Sequence, residues 1–67
     1  MKAGEIWQHD NGHFVKISGI LSLFKREYVV FDYCDINGDL GIQTNRHGDS
    51  MERTKFLEVY SKLHTGV

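Results

Sequence analysis

Residues 27–34 (EYVVFDYC) constrain the fold of this chain more than any other stretch. They are mostly β-branched and aromatic, the make-up of a strand with a packed face. A period of two puts Val29, Phe31 and Tyr33 on one side and Tyr28, Val30, Asp32 and Cys34 on the other. Asp32 marks the second side as partly wet, so the first is the expected core face. Asn37-Gly38 comes next, and Asn-Gly between apolar runs signals a β-hairpin. A further extended run over 40–45 places Leu40, Ile42 and Thr44 on one face.

Upstream, residues 4–9 (GEIWQH) and 13–21 (HFVKISGIL) flank the turn triplet Asp10-Asn11-Gly12 and read as a first hairpin. In the second run Val15, Ile17 and Gly19 alternate with Lys16 and Ser18. A glycine inside a strand permits a bulge, and a small barrel needs such bends to close. Residues 22–26 (SLFKR) read as a loop carrying two exposed cations. A turn over 46–49 leads to a short strand over 50–54. From Thr54 the period changes: Phe56, Leu57, Val59, Tyr60 and Leu63 follow helical spacing, with Thr54 as the expected cap. The expectation is a helix of one or two turns that plugs an open end of the sheet, with residues 61–67 as a loose tail. Val59 and Tyr60 also suit a last strand. The fold class is therefore all-β. The expected architecture is a single domain over 1–67, a small five-stranded SH3-like barrel with a short C-terminal helical segment. An OB-fold, which normally needs a longer chain and a mid-chain helix, ranks second.

The length sharpens this. At 67 residues one small core is available, and such domains are marginal without a staple. Cys34 is the only cysteine, so no disulfide forms within the chain, and a lone thiol suits a reducing cytoplasm. No apolar run approaches the length of a membrane span, and the opening residues lack the apolar segment of a signal peptide. The expected location is the cytoplasm, with no membrane partner. Eight Lys plus Arg against nine Asp plus Glu give a formal charge of −1. That balance argues against a dedicated phosphate-binding surface and removes one barrier to self-association.

Few residues offer chemistry. Asp35, Asn37 and Asp39 are spaced like the oxygen ligands of a calcium loop. With Gly38 at the sixth position of such a loop, however, Tyr33 would occupy the first and Thr44 the twelfth, where carboxylates are required. The stretch is therefore read as a bend whose acidic residues, Asp35 and Asp39, face a partner. His9 and His13 flank the first turn and can approach each other across it, but no zinc-binding spacing accompanies them or His47 and His64. Cys34 lies inside the best strand, where a small thiol is usually a packing residue. No nucleophile motif or phosphate-cradling loop is present. The expectation is no enzyme activity, no cofactor and no metal. The interesting remainder is Lys16, Lys25, Arg26, Arg46 and Arg53, with Trp7, Phe14 and Tyr28 as aromatic neighbours. Small barrels bind partners with aromatics between loops and cations at the rim. The competing reading has Trp7 and Phe14 filling the barrel ends and the cations solvated.

Several stretches carry a resemblance. Residues 2–20 (KAGEIWQHDNGHFVKISGI), then YVVFDY, then RTKFLEVY resemble small SH3-like barrel proteins of tailed phages and prophages. The pattern is Gly4, Glu5, Ile6, Trp7, the Asn11-Gly12 turn, Phe14 and alternating aliphatics. The segment INGDLGIQTNRHGDS departs from it by its length. The resemblance implies the fold, and no catalytic residue to carry over. It frames the leading expectation, a phage-encoded, non-enzymatic module that docks on a host protein or defence complex and modulates or inhibits it. The expected partner-binding residues are Trp7, Lys25, Arg26, Tyr28, Asp35, Asp39, Arg46 and Arg53. The alternative is nucleic-acid binding through the basic and aromatic surface. A third possibility is a homo-oligomer joined through exposed strand edges.

Overall fold

A computed structural model describes residues 1–40 and 49–65. Five antiparallel strands curl into a half-barrel: β1 (Glu5–His9), β2 (Phe14–Leu23), β3 (Arg26–Cys34), β4 (Asp49–Glu52) and β5 (Tyr60–Thr65). A helix, α1 (Arg53–Val59), joins the last two. The strand order is β4-β3-β2-β1-β5, a meander whose last strand returns beside the first. This is the mainly β fold that the alternating runs predict. The expected strand over 40–45 lies, beyond Leu40, outside the described residues, as does most of the 46–49 turn.

The core forms where the period-two reading puts it. Val15 and Ile17 of β2 and Val29 and Phe31 of β3 are buried, and Tyr33 packs against them half-buried. Trp7, Phe56 and Tyr60 complete the cluster. Phe56 has no exposed surface and lies at the centre of an aromatic group. It stacks on Tyr60 with centroids 4.2 Å apart and meets Trp7 edge-on at 5.3 Å. The helix thus plugs the sheet, but through Phe56 with Val59 beside it; Leu57 of the expected stripe is exposed, and Tyr60 and Leu63 belong to β5.

Two details of this end differ from the sequence reading. Thr54 does not cap the helix, which begins at Arg53 with Glu52 before it; the Thr54 hydroxyl donates to Glu52 Oε1 at 2.9 Å. The expected loose tail is, over residues 61–65, the body of edge strand β5, paired along β1 from Glu5 opposite Thr65 to His9 opposite Tyr60. The reason lies in β1. Glu5 is buried and accepts the Trp7 indole N–H at 3.1 Å, while its second oxygen faces Lys62 Nζ of β5 at 3.3 Å. A buried carboxylate needs partners, and β5 supplies one of them. The Trp7 and Lys62 contacts and a Lys2 backbone bond overcome the opposing effect of burial, so the Glu5 carboxyl is held below its ordinary range.

The turns also rearrange the expectation. Asn11-Gly12 and Asn37-Gly38 make the same kind of turn. In each, the N–H of the first residue bonds the carbonyl four residues on (His9 to His13, Asp35 to Asp39). Each glycine N–H bonds back to the first residue's carbonyl, and only the glycine takes a positive φ, 106° at Gly12 and 82° at Gly38. At Gly12 this is the three-residue hairpin loop with a left-handed glycine, and residues 35–39 repeat its turn geometry. The side chain of the first residue caps both: His9 Nδ1 accepts the Asn11 N–H at 3.0 Å and Asp35 Oδ1 accepts the Asn37 N–H at 2.8 Å. The tight two-residue turn falls elsewhere, at Phe24-Lys25, with φ of 49° and 66°. Residues 22–26 are therefore not a loop. Ser22 and Leu23 end β2 and Arg26 begins β3.

Candidate interaction surface on the β2–β3 hairpin

The long β2–β3 hairpin outruns its neighbours. β1 pairs with β2 only from Phe14 to Lys16, extended by one bond from the Gly4 N–H to the Ile17 carbonyl. β4 pairs with β3 from Tyr28 to Phe31. Among the described residues no strand lies beside residues 19–23 on the side away from β3. A bulge marks the departure: Ile17 opposes Phe31 and Gly19 opposes Val30, so Ser18 is the extra residue. This is the break foreseen at Gly19. The Ser18 hydroxyl donates to Asp32 Oδ2 at 3.1 Å across the bulge.

Beyond the bulge the pairing runs Ile20 with Val29, Leu21 with Tyr28, Ser22 with Glu27 and Leu23 with Arg26. Side chains alternate between faces, so Gly19, Leu21 and Leu23 share the outer face with Val30, Tyr28 and Arg26. The result is an apolar stripe in water. Leu21 and Leu23 on it are 47% and 46% exposed, Phe24 at the tip is 95% exposed, and Ile20 on the opposite face is 38% exposed. Beside the bulge an open groove of about 280 Å³ is lined by Ser18, Gly19, Ile20, Leu21 and Val30.

Three of the residues expected to bind a partner meet here. Lys25 stands in the turn with no ion pair among the described residues. Arg26 follows it and reaches Glu52 at 3.3 Å. Tyr28 is half-buried on the outer face. The others are elsewhere. Arg53 pairs with Glu27 at 2.6 Å on the opposite side of the hairpin base. Trp7 is a core residue, as the competing reading had it, because its indole is needed to satisfy Glu5. Asp35 is exposed, and its carboxylate also holds the turn: Oδ1 accepts the N–H groups of Asn37 and Asp39 at 2.8 and 2.9 Å. Asp39 is exposed beside it. Arg46 lies outside the described residues.

Sequence reasoning missed Ile20, Leu21, Leu23 and Phe24. The signal was present in the unbroken run ILSLF, but reading residues 22–26 as a loop concealed it. The basic surface fares differently. Arg26 and Arg53 each pair with a carboxylate and Lys16 opposes Asp32 across the strands, whereas Lys25 has no ion pair among the described residues.

A second cluster sits at the first turn. His9 and His13 stack at 4.6 Å, as expected of residues flanking it, and His13 Nε2 lies 2.8 Å from the Tyr60 hydroxyl. Burial, with Tyr33 and Asp49 nearby, pushes the Tyr60 phenol up to about 12. Among the described residues no three His, Cys, Asp or Glu side chains are grouped to hold a metal ion. Cys34 is half-buried; burial and then Asp35 push its thiol up despite Lys16, which opposes the activation a nucleophile needs. Among the described residues no helix is long and apolar enough to cross a membrane. No protein-family model matches the chain, and no curated protein or solved structure matches it.

Proposed function

We propose that this chain is a non-enzymatic docking module that inserts the tip of its β2–β3 hairpin into an apolar cavity of a partner protein. One observation carries the reading. Phe24 occupies a position with φ of 49° and is 95% exposed. A bulky side chain at positive φ is unfavourable, and this one buries almost nothing in its own chain. A residue that harms the turn and does nothing for the core is accounted for by what it meets outside. Aromatic anchors of this kind dominate binding energy at protein interfaces. Lys25 beside it favours a cavity with carboxylates at its rim. Taken with the resemblance to small phage barrels, the partner class is a host protein, and the outcome of docking is its modulation or inhibition.

The test replaces Phe24 by a photo-crosslinking phenylalanine and captures partners from host lysate, in parallel with Phe24→Ser and with Leu57→Ser as an exposed control on α1. The reading expects one protein crosslinked at position 24, lost with Phe24→Ser and retained with Leu57→Ser. Capture that is indifferent to Phe24→Ser, or no crosslinked protein at all, would overturn it.

A further inference from the structure

The tip accounts for Phe24 but not for the side of the hairpin, and here we propose a second occupant: another copy of the same chain. Two copies pair antiparallel along the open edges of β2, residues 19–23, about a two-fold axis at Leu21.

The backbone argument comes first. In an antiparallel ladder, opposite residues alternate between pairs that bond each other and pairs that point away. Leu23 and Arg26 close a two-residue turn, so they form a bonded pair, as do Leu21 with Tyr28 and Gly19 with Val30. Ile20 and Ser22 therefore direct their N–H and C=O groups away from β3, towards the side where no described strand lies. A two-fold at Leu21 sets Ile20 opposite the second copy's Ser22 and Ser22 opposite its Ile20. Both positions then gain partners, and the sheet runs on across the dimer.

The side chains fit the same register. It places Leu23 opposite the second copy's Gly19, on the outer face, in the non-bonded kind of pair where side chains lie closest. Gly19 adjoins the bulge, but the extra residue there is Ser18, so the bulge does not itself demand glycine at 19. Its φ lies outside the left-handed region, and a Cβ there would meet nothing within 4 Å. A glycine in a strand weakens it. The open space over Gly19 belongs to the groove with Ser18, Ile20, Leu21 and Val30, and Leu23 of the second copy fills it. Two such insertions, with Leu21 against Leu21 between them, cover the apolar stripe.

Charge does not oppose the pairing. The net charge of −1 puts little repulsion between copies. The contact is small. Five strand residues a side bury on the order of 800 Å² in total, short of the roughly 1,200 Å² of stable interfaces, so the dimer is a weak one. It sets Phe24 alongside the second copy's Ser18, so pairing and the docking described above compete for the same tip, and the pairing does not depend on that reading.

Sedimentation equilibrium of the full chain from about 10 µM to 1 mM tests it, with Gly19→Val and Ser22→Pro. Gly19→Val fills the groove where the structure has room for it. Ser22→Pro removes an outward N–H while leaving the β2–β3 ladder, and circular dichroism reports whether each variant keeps the fold. The expected result is a monomer–dimer equilibrium in the wild type, with self-affinity at least tenfold weaker in Gly19→Val, which stays folded and melts no lower than the wild type in dilute solution. Ser22→Pro, where folded, weakens it likewise. A wild type that is monomeric at 1 mM, or a folded variant that dimerises like the wild type, would overturn the proposal. A monomeric wild type that still loses its captured protein on Phe24→Ser would do so while sparing the docking reading.

Discussion

Replacing Phe24-Lys25 by Asn-Gly should stabilise the protein while abolishing its docking. Both positions hold positive φ, 49° and 66°, the geometry that Asn-Gly is chosen for in two-residue hairpin turns. A side chain other than glycine in the left-handed region carries about 1–2 kcal/mol of strain. Lys25→Gly relieves that at one position, less about 0.4–1 kcal/mol for the greater freedom glycine gives the unfolded chain. Phe24→Asn relieves part of it at the other, because asparagine tolerates this region. Phe24 is 95% exposed, so its loss removes almost no burial. The sum is a gain of about 1 kcal/mol, or roughly 4–8 °C in Tm for a domain of this size. Urea and thermal unfolding followed by circular dichroism at low micromolar concentration, where self-association is negligible, give both quantities. A Tm that is unchanged or falls would refute the reasoning, because it would mean that Phe24 packs on its own chain in solution and is not held out for a partner.

Two further outcomes follow from the core. Phe56→Ala removes the side chain on which Trp7, Phe31 and Tyr60 converge; about 3–5 kcal/mol is expected to be lost, a large share of the roughly 3–10 kcal/mol available to 67 residues, and denaturant unfolding should show a largely unfolded variant at 37 °C. Tyr60 is pushed up to about 12 in the folded chain, against about 10 when unfolded. Its contribution is complete below pH 10 and is lost as pH rises towards 12, so unfolding followed over that range should show a decline that is smaller in Tyr60→Phe.

The sequence was legible where one face of a strand is buried. Val15, Ile17, Val29 and Phe31 follow from period two alone, and Phe56 from the change of period after Thr54; Tyr60 opens β5, the last-strand alternative that it and Val59 also suit. The bulge near Gly19 followed from a glycine in a strand. What escaped was the extent of elements. Residues 61–65 carry no strong strand pattern and are held by pairing to β1 and by the ion pair of Lys62 with buried Glu5, a tertiary effect. The Phe24-Lys25 turn escaped because its residues contradict turn chemistry, and local rules fail most often where a residue serves something other than the fold. For the same reason only Lys25, Arg26 and Tyr28 of the expected site residues that are described meet on the hairpin. The apolar residues that join them resemble core residues until the strand is seen to outrun its sheet.

The pairing of β1 with β5 also bears on how this chain is made. The ribosome delivers β1 through β4 first, at about 5–20 residues per second, yet β1 then lacks one neighbour, Glu5 lacks Lys62, and the core lacks Phe56 and Tyr60. Until residues 53–65 have left the exit tunnel, Trp7 and Phe31 lack the cover that Phe56 and Tyr60 give them. The half-barrel therefore closes only after synthesis has passed Thr65. Stalled or truncated products would be substrates for chaperones and proteases.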